Sequence, residues 1–108
     1  MVKPNIREQA ANKLNFFYLI CELIIEGKSV SAESAKIARK DINDMIDWLD
    51  EKENKTFIKE DVTKKLNSFD IILERIIDSK TVSIEMATNG QINVKEIMAW
   101  LDKRKYKS

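Results

Sequence analysis

The sequence has no histidine, one cysteine, one proline and two glycines in 108 residues. Histidine is the most frequent general base and a frequent metal ligand, and the single cysteine, Cys21, cannot form an internal disulfide. So few chain breakers favour helices joined by short turns over a sandwich or barrel of many strands. These shortages predict an all-α protein of a reducing compartment, with no catalytic residues, no metal site and no cofactor.

Long apolar runs and a charge excess are also missing. No run approaches the roughly 20 apolar residues that cross a bilayer, and the first residues, MVKPNIREQ, lack the apolar middle of a secretion signal. We therefore expect a cytoplasmic protein without membrane contacts. The net charge of +1 is lower than that of most dedicated nucleic-acid-binding proteins.

What the sequence does contain is a repeat. Shifted by 52 residues without gaps, residues 6–52 match residues 58–104 at 18 of 47 positions. The register aligns Trp48 with Trp100 and Phe17 with Phe69. Two copies are too few for a solenoid. We therefore predict two tandem repeats, 1–55 and 56–108, packed with pseudo-two-fold symmetry into one compact domain.

Each copy is predicted to be trihelical. Apolar residues at three-and-four spacing indicate first helices over 6–27 and 58–79, short second helices over 32–38 and 84–89, and third helices over 42–53 and 94–105. Gly27 is expected to end the first helix, and Ser31 and Ser83 to begin the second ones. Asp41 and Asn93 are expected to cap the third helices. Trp48 and Trp100 are predicted to close the core of their units.

Residues 82–104, VSIEMATNGQINVKEIMAWLDKR, resemble the core of bacterial helix-turn-helix DNA-binding domains. The resemblance assigns the small residue of the second helix to Ala87 and the apolar turn residue to Ile92. Asn93 would cap the recognition helix, with Ile97 and Trp100 behind it. Gly90 stands one place earlier than the turn glycine of that family, and the first copy fits the pattern less well. The resemblance implies two helices that cross steeply at a turn.

On this interpretation the protein is a small DNA-binding regulator of transcription. In the second copy Asn93 and Lys95 would face bases or phosphates in the major groove. The basic end of the chain, Lys103, Arg104 and Lys105, would contact phosphates.

The alternative is a protein-binding adaptor or inhibitor, such as a phage inhibitor with an acidic surface. The third helix of the first copy carries the acidic ridge Asp44, Asp47, Asp50 and Glu51, which would repel phosphates and suit a basic partner. Phe16 and Tyr18 have no aromatic counterpart in the second copy, so they either face a partner or pack between the copies. A homodimer is compatible with both interpretations.

Overall fold

The computed structural model describes residues 6–52 and 57–104, and their side chains over 9–48 and 60–101. Within these ranges the chain forms four α-helices and no strand: α1 (Ile6–Ile25), α2 (Ala32–Lys52), α3 (Phe57–Ile77) and α4 (Ile84–Arg104). We call α1 with α2 hairpin one, and α3 with α4 hairpin two. The all-α prediction is confirmed. The predicted boundary between 55 and 56 lies outside the described residues.

The six-helix prediction is wrong, because the second and third helices of each copy are continuous. α2 and α4 each run for 21 residues without a turn. Asp41 and Asn93, predicted as helix caps, lie in the middle of these helices. In α2 the segment Ala38-Arg39-Lys40 consists of strong helix formers, so nothing in the local sequence breaks the helix.

Gly90 is the residue that most favoured a turn, and it serves a different purpose. It is buried inside α4, where a Cβ atom would lie 3.2 Å from Cys21 Sγ and 3.3 Å from an edge carbon of Phe17. Glycine inside a helix costs about 1 kcal/mol relative to alanine. Here that cost allows α4 to lie close to α1. Its counterpart 52 residues earlier is Ala38, also small and buried.

The turns within both hairpins have the same construction. After α1, Gly27 adopts φ 77°, and after α3, Ser79 adopts φ 59°. In the first turn Lys28 N donates to Leu23 O at 2.8 Å, and in the second Lys80 N donates to Arg75 O at 2.7 Å. These bonds close a helix end of the Schellman type. The predicted caps of the next helices are confirmed, since Ser31 Oγ and Ser83 Oγ each accept a backbone N–H at 3.1 Å.

The helices pack more extensively between the hairpins than within them. α2 lies mainly against α3 and α1 mainly against α4, while the two helices of each hairpin touch less. The Phe17 and Phe69 rings stack between α1 and α3 at the centre. The smallest dimension, 20 Å, is about the thickness of two helices. Each hairpin therefore buries its apolar side against the other.

The buried core consists of apolar residues on all four helices, and no polar side chain in the described ranges is fully buried. Most core residues occur in pairs 52 positions apart: Ala10 and Val62, Leu14 and Leu66, Phe17 and Phe69, Ile20 and Ile72, Cys21 and Leu73, Ala35 and Ala87, Ile42 and Val94, Met45 and Ile97. The predicted core face is thus confirmed at these positions. No helix in the described ranges combines the length and apolarity needed to span a bilayer.

Candidate functional site

A groove runs along the outside of hairpin one, because α1 and α2 diverge from their turn. At the turn end it opens into a pocket of about 330 Å³. The apolar lining residues are Phe16, Leu19, Ile20, Leu23 and Val30, and the polar ones are Ser29, Ser31 and Ser34. No charged side chain lines this pocket. Leu19 is 52% exposed, and Ile37, one turn beyond Ser34 on α2, is 59% exposed. The turn end is therefore an apolar surface open to solvent.

At its other end the same groove contains a second, smaller pocket of about 170 Å³ around Trp48. Ala10 and Met45 form its floor, and Gln9 lies at its edge. Lys13 and Asp44 also line this pocket, and Lys13 Nζ lies 3.7 Å from Asp41 Oδ1 and 3.5 Å from Asp44 Oδ2. Ala10 and Ile20 are ten residues apart on α1, which places the pockets about 15 Å apart. We call the whole feature the hairpin-one groove.

Hairpin two has a counterpart of the Trp48 pocket. Its Trp100 pocket has a volume of about 110 Å³ and is lined by residues equivalent to those around Trp48: Asp61, Val62, Lys65, Glu96, Ile97 and Trp100. At the turn end, Ser68 and Arg75 replace Phe16 and Leu23. Arg75 Nε donates to Thr81 O at 2.8 Å, which places a guanidinium across the turn end. The apolar pocket is therefore a difference between the two hairpins.

The rim of the hairpin-one groove is acidic on balance. Its carboxylates are Glu26, Glu33, Asp41, Asp44 and Asp47, and its ammonium groups are Lys13, Lys28, Lys36 and Lys40. Three of these lysines form ion pairs along the rim: Lys13 with Asp41 and Asp44, Lys28 with Glu26 at 3.6 Å and Lys40 with Asp44 at 3.9 Å. Glu33 and Asp47 form no ion pair with the described side chains. A cationic partner would therefore be favoured at this rim.

The predicted DNA-contacting residues do not share one face of α4. Asn93 is half-buried and Lys95 is exposed. Two residues apart on a helix, they point about 200° away from each other. Lys95 lies with Nζ 5.9 Å from the centre of the Tyr18 ring. Lys103 and Arg104 belong to the last turn of α4, and Lys105 lies outside the described residues.

The helix-turn-helix arrangement is not formed at 82–104. Ile92, predicted as the apolar turn residue, is 50% exposed on an unbroken helix. Ala87 and Ile97 are buried, as the resemblance implies, but they pack in the core of a continuous α4. α4 consequently offers no separate recognition helix.

The predicted acidic ridge is only partly available to a partner. Asp44 is engaged by Lys13 and Lys40, whereas Asp47 is exposed. The side chains of Asp50 and Glu51 lie outside those described. Asp44 lines the Trp48 pocket, so the ridge and the groove share this residue, whereas Asp47 lies outside the pocket lining.

Phe16 and Tyr18, predicted either to face a partner or to pack between the copies, have different surroundings. Phe16 lines the open pocket, whereas Tyr18 faces α4. Gln91 Nε2 donates to Tyr18 O at 3.3 Å and to Glu22 Oε2 at 2.7 Å. Trp48 and Trp100 are half-buried and pack against the core.

Titratable chemistry gives little sign of a reaction centre. Burial raises the pKa of the Cys21 thiol from 9.0 to about 12, so the nucleophilic thiolate is disfavoured. A hydrogen bond to Asp70 and the charge of that residue raise the pKa of Arg39. Among the described residues, no three cysteine or acidic side chains are grouped so as to hold a metal ion.

The turn ends of the two hairpins thus differ in their side chains, which are apolar in hairpin one and include the charged Arg75 in hairpin two. Compared with protein-family models, with curated proteins and with solved structures, the chain matches none. The function must be inferred from the groove and its charges.

Sequence patterns alone identify Phe16 as unusual but miss Leu19, Leu23 and Val30. Leu19 and Leu23 lie seven and three residues before Glu26 on the outer stripe of α1, where apolar residues are unexpected on a solvated face. A position-by-position alignment of the two copies pairs Leu23 with Arg75 and Phe16 with Ser68. These two pairs are the sequence signal for the difference at the turn end.

Proposed function

We propose that the chain is a small non-enzymatic protein-binding module, and that the hairpin-one groove holds a basic amphipathic helix of a partner. The observation that carries this proposal is the open apolar pocket around Leu19, where hairpin two has Ser68 and Arg75 in place of Phe16 and Leu23. Exposed apolar grooves between two helices are a recurrent way to bind the apolar face of a third.

The length and charge of the groove support a helix as the occupant. Two pockets about 15 Å apart match apolar side chains about ten residues apart on a helix, which is close to three turns. The five carboxylates and four lysines of the rim leave an excess of one negative charge. Lysine or arginine on the flanks of the bound helix would pair with Glu33 and Asp47, and would speed association more than it raises affinity.

A titration of the labelled protein with two model peptides tests the proposal. One is a helix of leucine and lysine, and the other has the same leucines with glutamate in place of lysine. We expect the lysine peptide to shift the amide resonances of Leu19, Leu23 and Val30, and the glutamate peptide to shift them far less. Leu19→Asp should abolish the response, whereas Ile71→Asp, at the equivalent exposed position of α3, should leave it unchanged.

The proposal fails if both peptides shift the same resonances equally, or if the responding residues lie elsewhere on the molecule. It also fails if Ile71→Asp and Leu19→Asp have the same effect. Leu19 and Ile71 are 52% and 57% exposed, so the two variants disturb comparable surfaces.

DNA binding is retained as a second proposal on one observation. Lys95 is exposed on α4, and Lys103, eight residues later, lies within about 80° of it around the helix axis. Such a stripe could contact successive phosphates. Titration with duplex DNA at low salt tests it, with Lys95→Glu and Lys103→Glu as variants and Lys64→Glu as control. If Lys95→Glu and Lys103→Glu bind duplex DNA as well as the unmodified protein does, this surface is not a DNA-binding site.

We also propose that the two hairpins descend from one duplicated hairpin and are related by an approximate two-fold axis near the Phe17–Phe69 stack. The support is the pairing of buried residues 52 positions apart and the equivalent ion pairs, Lys13 with Asp44 and Lys65 with Glu96. An experimental structure tests this: superposing α1–α2 on α3–α4 should align both tryptophan pockets.

A further inference from the structure

One asparagine of the chain is followed directly by glycine, at Asn89-Gly90 in α4. In such a pair the backbone nitrogen of the glycine can attack the side-chain amide carbon of the asparagine. Glycine has no Cβ to shield that nitrogen, and its backbone turns freely. The counterpart in α2 is Ile37-Ala38, which lacks the amide. The reactive pair therefore belongs to hairpin two alone.

The two residues of this pair have contrasting surroundings. Asn89 is exposed, and within the described ranges no hydrogen bond holds its side-chain amide. Gly90 is buried where α4 crosses α1, and a Cβ there would lie 3.2 Å from Cys21 Sγ and 3.3 Å from a ring carbon of Phe17. Water therefore reaches the amide, while α1 holds the glycine in place.

The helical backbone of α4 keeps the two reacting atoms apart. Each Cα–Cβ bond of a helix tilts towards the helix N-terminus, whereas the nitrogen of the next residue lies towards the C-terminus. Ring closure also needs a ψ angle at Asn89 that lies outside the α-helical region. Position 89 lies more than one turn inside α4, which runs unbroken from Ile84 to Arg104. The reaction consequently waits until this part of α4 leaves the helix, which also breaks the packing of Gly90 on α1.

We propose that Asn89 is a self-modification site that is closed in the folded chain and reacts when α4 opens. In the open chain Gly90 N bonds to Asn89 Cγ. The side-chain nitrogen takes up the proton of Gly90 N and leaves as ammonia, so that a cyclic imide remains. Water then opens this ring at either carbonyl carbon. Addition at Cγ gives aspartate, and addition at the main-chain carbon gives isoaspartate, in which the chain continues through the former side chain.

The two products differ in whether the fold can form again. Aspartate adds a negative charge at an exposed position and leaves the backbone unchanged. Isoaspartate adds one carbon to the main chain between positions 89 and 90, which shifts the later residues of α4 against the earlier ones. Val94, Ile97 and Leu101 then lose their places in a close-packed core. In the isoaspartate fraction, opening therefore leads to a chain that does not regain the packing of the hairpins.

Mass spectrometry during incubation in mildly alkaline buffer tests the proposal, with guanidinium chloride below the unfolding midpoint to keep the rates measurable. When open chains reclose faster than they react, the observed rate is the opening equilibrium constant times the rate in the unfolded chain. Phe17→Leu should therefore speed the loss of Asn89 about fivefold, the factor that corresponds to about 1 kcal/mol of unfolding free energy. Ser79→Gly, which relieves a left-handed φ, should slow it about two- to fivefold. Equal rates in the three proteins, or a folded chain that reacts as fast as the unfolded one, would overturn the proposal.

Two controls assign the reaction to this pair. Asn67-Ser68 in α3 is an exposed asparagine followed by a residue that has a Cβ, so it should react more slowly than Asn89 in the fully unfolded chain. Asn89→Gln, whose longer side chain must close a larger ring, should give no product at position 89 over the same time. Equal rates at Asn67 and Asn89 in the unfolded chain would contradict the role given to Gly90.

Refolding of the products tests the consequence for the fold. Chemical synthesis gives a chain with isoaspartate at position 89, and Asn89→Asp is the matched control for the other product. Circular dichroism should show that Asn89→Asp regains the helix content and unfolding midpoint of the unmodified protein. The isoaspartate chain should lose much of its helix. An isoaspartate chain that folds as stably as Asn89→Asp would show that the modification does not trap the open state.

Discussion

Phe17 on α1 and Phe69 on α3 stack with their ring centroids 4.3 Å apart and their planes 25° from parallel. Both side chains are completely buried. They occupy equivalent positions of the two hairpins, and each ring covers the other at the place where the hairpins meet. The stack therefore forms only when the two hairpins are packed together.

Replacing either phenylalanine of this pair by leucine should destabilise the fold by about 1 kcal/mol, since most of the apolar volume is kept. Replacing both should cost less than the sum, with a coupling of about 0.5–1.5 kcal/mol, because the first replacement already removes the aromatic contact. Urea unfolding of the four proteins measures the coupling. Strict additivity would mean that the rings do not interact.

A matched control for this cycle is Phe16→Leu combined with Phe69→Leu. Phe16 is half-buried and lines the open groove, so it does not take part in the stack. These two replacements should add within about 0.5 kcal/mol.

Ser79→Gly should stabilise the protein by about 0.5–1 kcal/mol. Ser79 adopts φ 59°, a left-handed conformation that glycine enters without steric cost. Gly27 already fills the equivalent place after α1, with φ 77° and no atom near its missing Cβ. Thermal unfolding measures the change, and Gly27→Ser should lower the stability by a similar amount. A loss of stability in Ser79→Gly would contradict this account of the turn.

Leu19→Asp should separate binding from folding. Leu19 is more than half exposed, so its replacement should change the free energy of unfolding by about 0.5 kcal/mol or less. Binding of the basic helical peptide should nevertheless be lost, because a buried carboxylate without a partner would face the apolar pocket. If binding and stability fall together, the groove is part of the fold and not a site.

The sequence predicts some positions of this fold and not others. The positions of Leu14, Phe17, Ile42 and their counterparts follow from three-and-four spacing, and all are buried. Gly90 was misleading because glycine has two uses in helical proteins, in turns and at close crossings, and only the neighbouring helix decides between them. Ile92 matches the turn position of the helix-turn-helix pattern only by its spacing of five residues from Ala87.

The groove could not be predicted for a related reason. Its pocket depends on how α1 and α2 are placed relative to each other, and both helices pack mainly against hairpin two. Phe16, Leu19 and Val30 are ordinary apolar residues until that arrangement is known. By contrast, the polar turn caps Ser31 and Ser83 were predictable because a cap depends on residues within one turn of it.

The Arg39–Asp70 ion pair should contribute little to the free energy of unfolding. Arg39 Nε lies 2.9 Å from Asp70 Oδ1, and the Arg39 side chain is 42% exposed, so solvent screens the attraction. We expect Arg39→Gln to cost less than about 1 kcal/mol, with a smaller cost at high salt. Gln91 holds the equivalent position in α4 and still bonds to Glu22, so glutamine fits there. A cost of several kcal/mol would show that the pair is shielded from solvent.

Cys21 should make the stability of the fold fall at alkaline pH. Burial raises the pKa of its thiol to about 12 in the folded chain, from 9.0 when exposed. The contribution is complete below pH 9, where both states hold the proton. Above it the unfolded chain releases the proton while the folded chain retains it, so stability declines as the pH rises from 9 towards 12.

Cys21→Ala should remove this decline while lowering stability at neutral pH through the lost packing. The comparison is of the slopes of stability against pH, since every other titratable side chain is common to the two proteins. Urea unfolding at pH 8 and at about pH 10.5 measures them. Equal slopes for the two proteins would mean that Cys21 ionises as readily in the folded chain as in the unfolded one, and that α1 and α4 do not shield it at the Gly90 crossing.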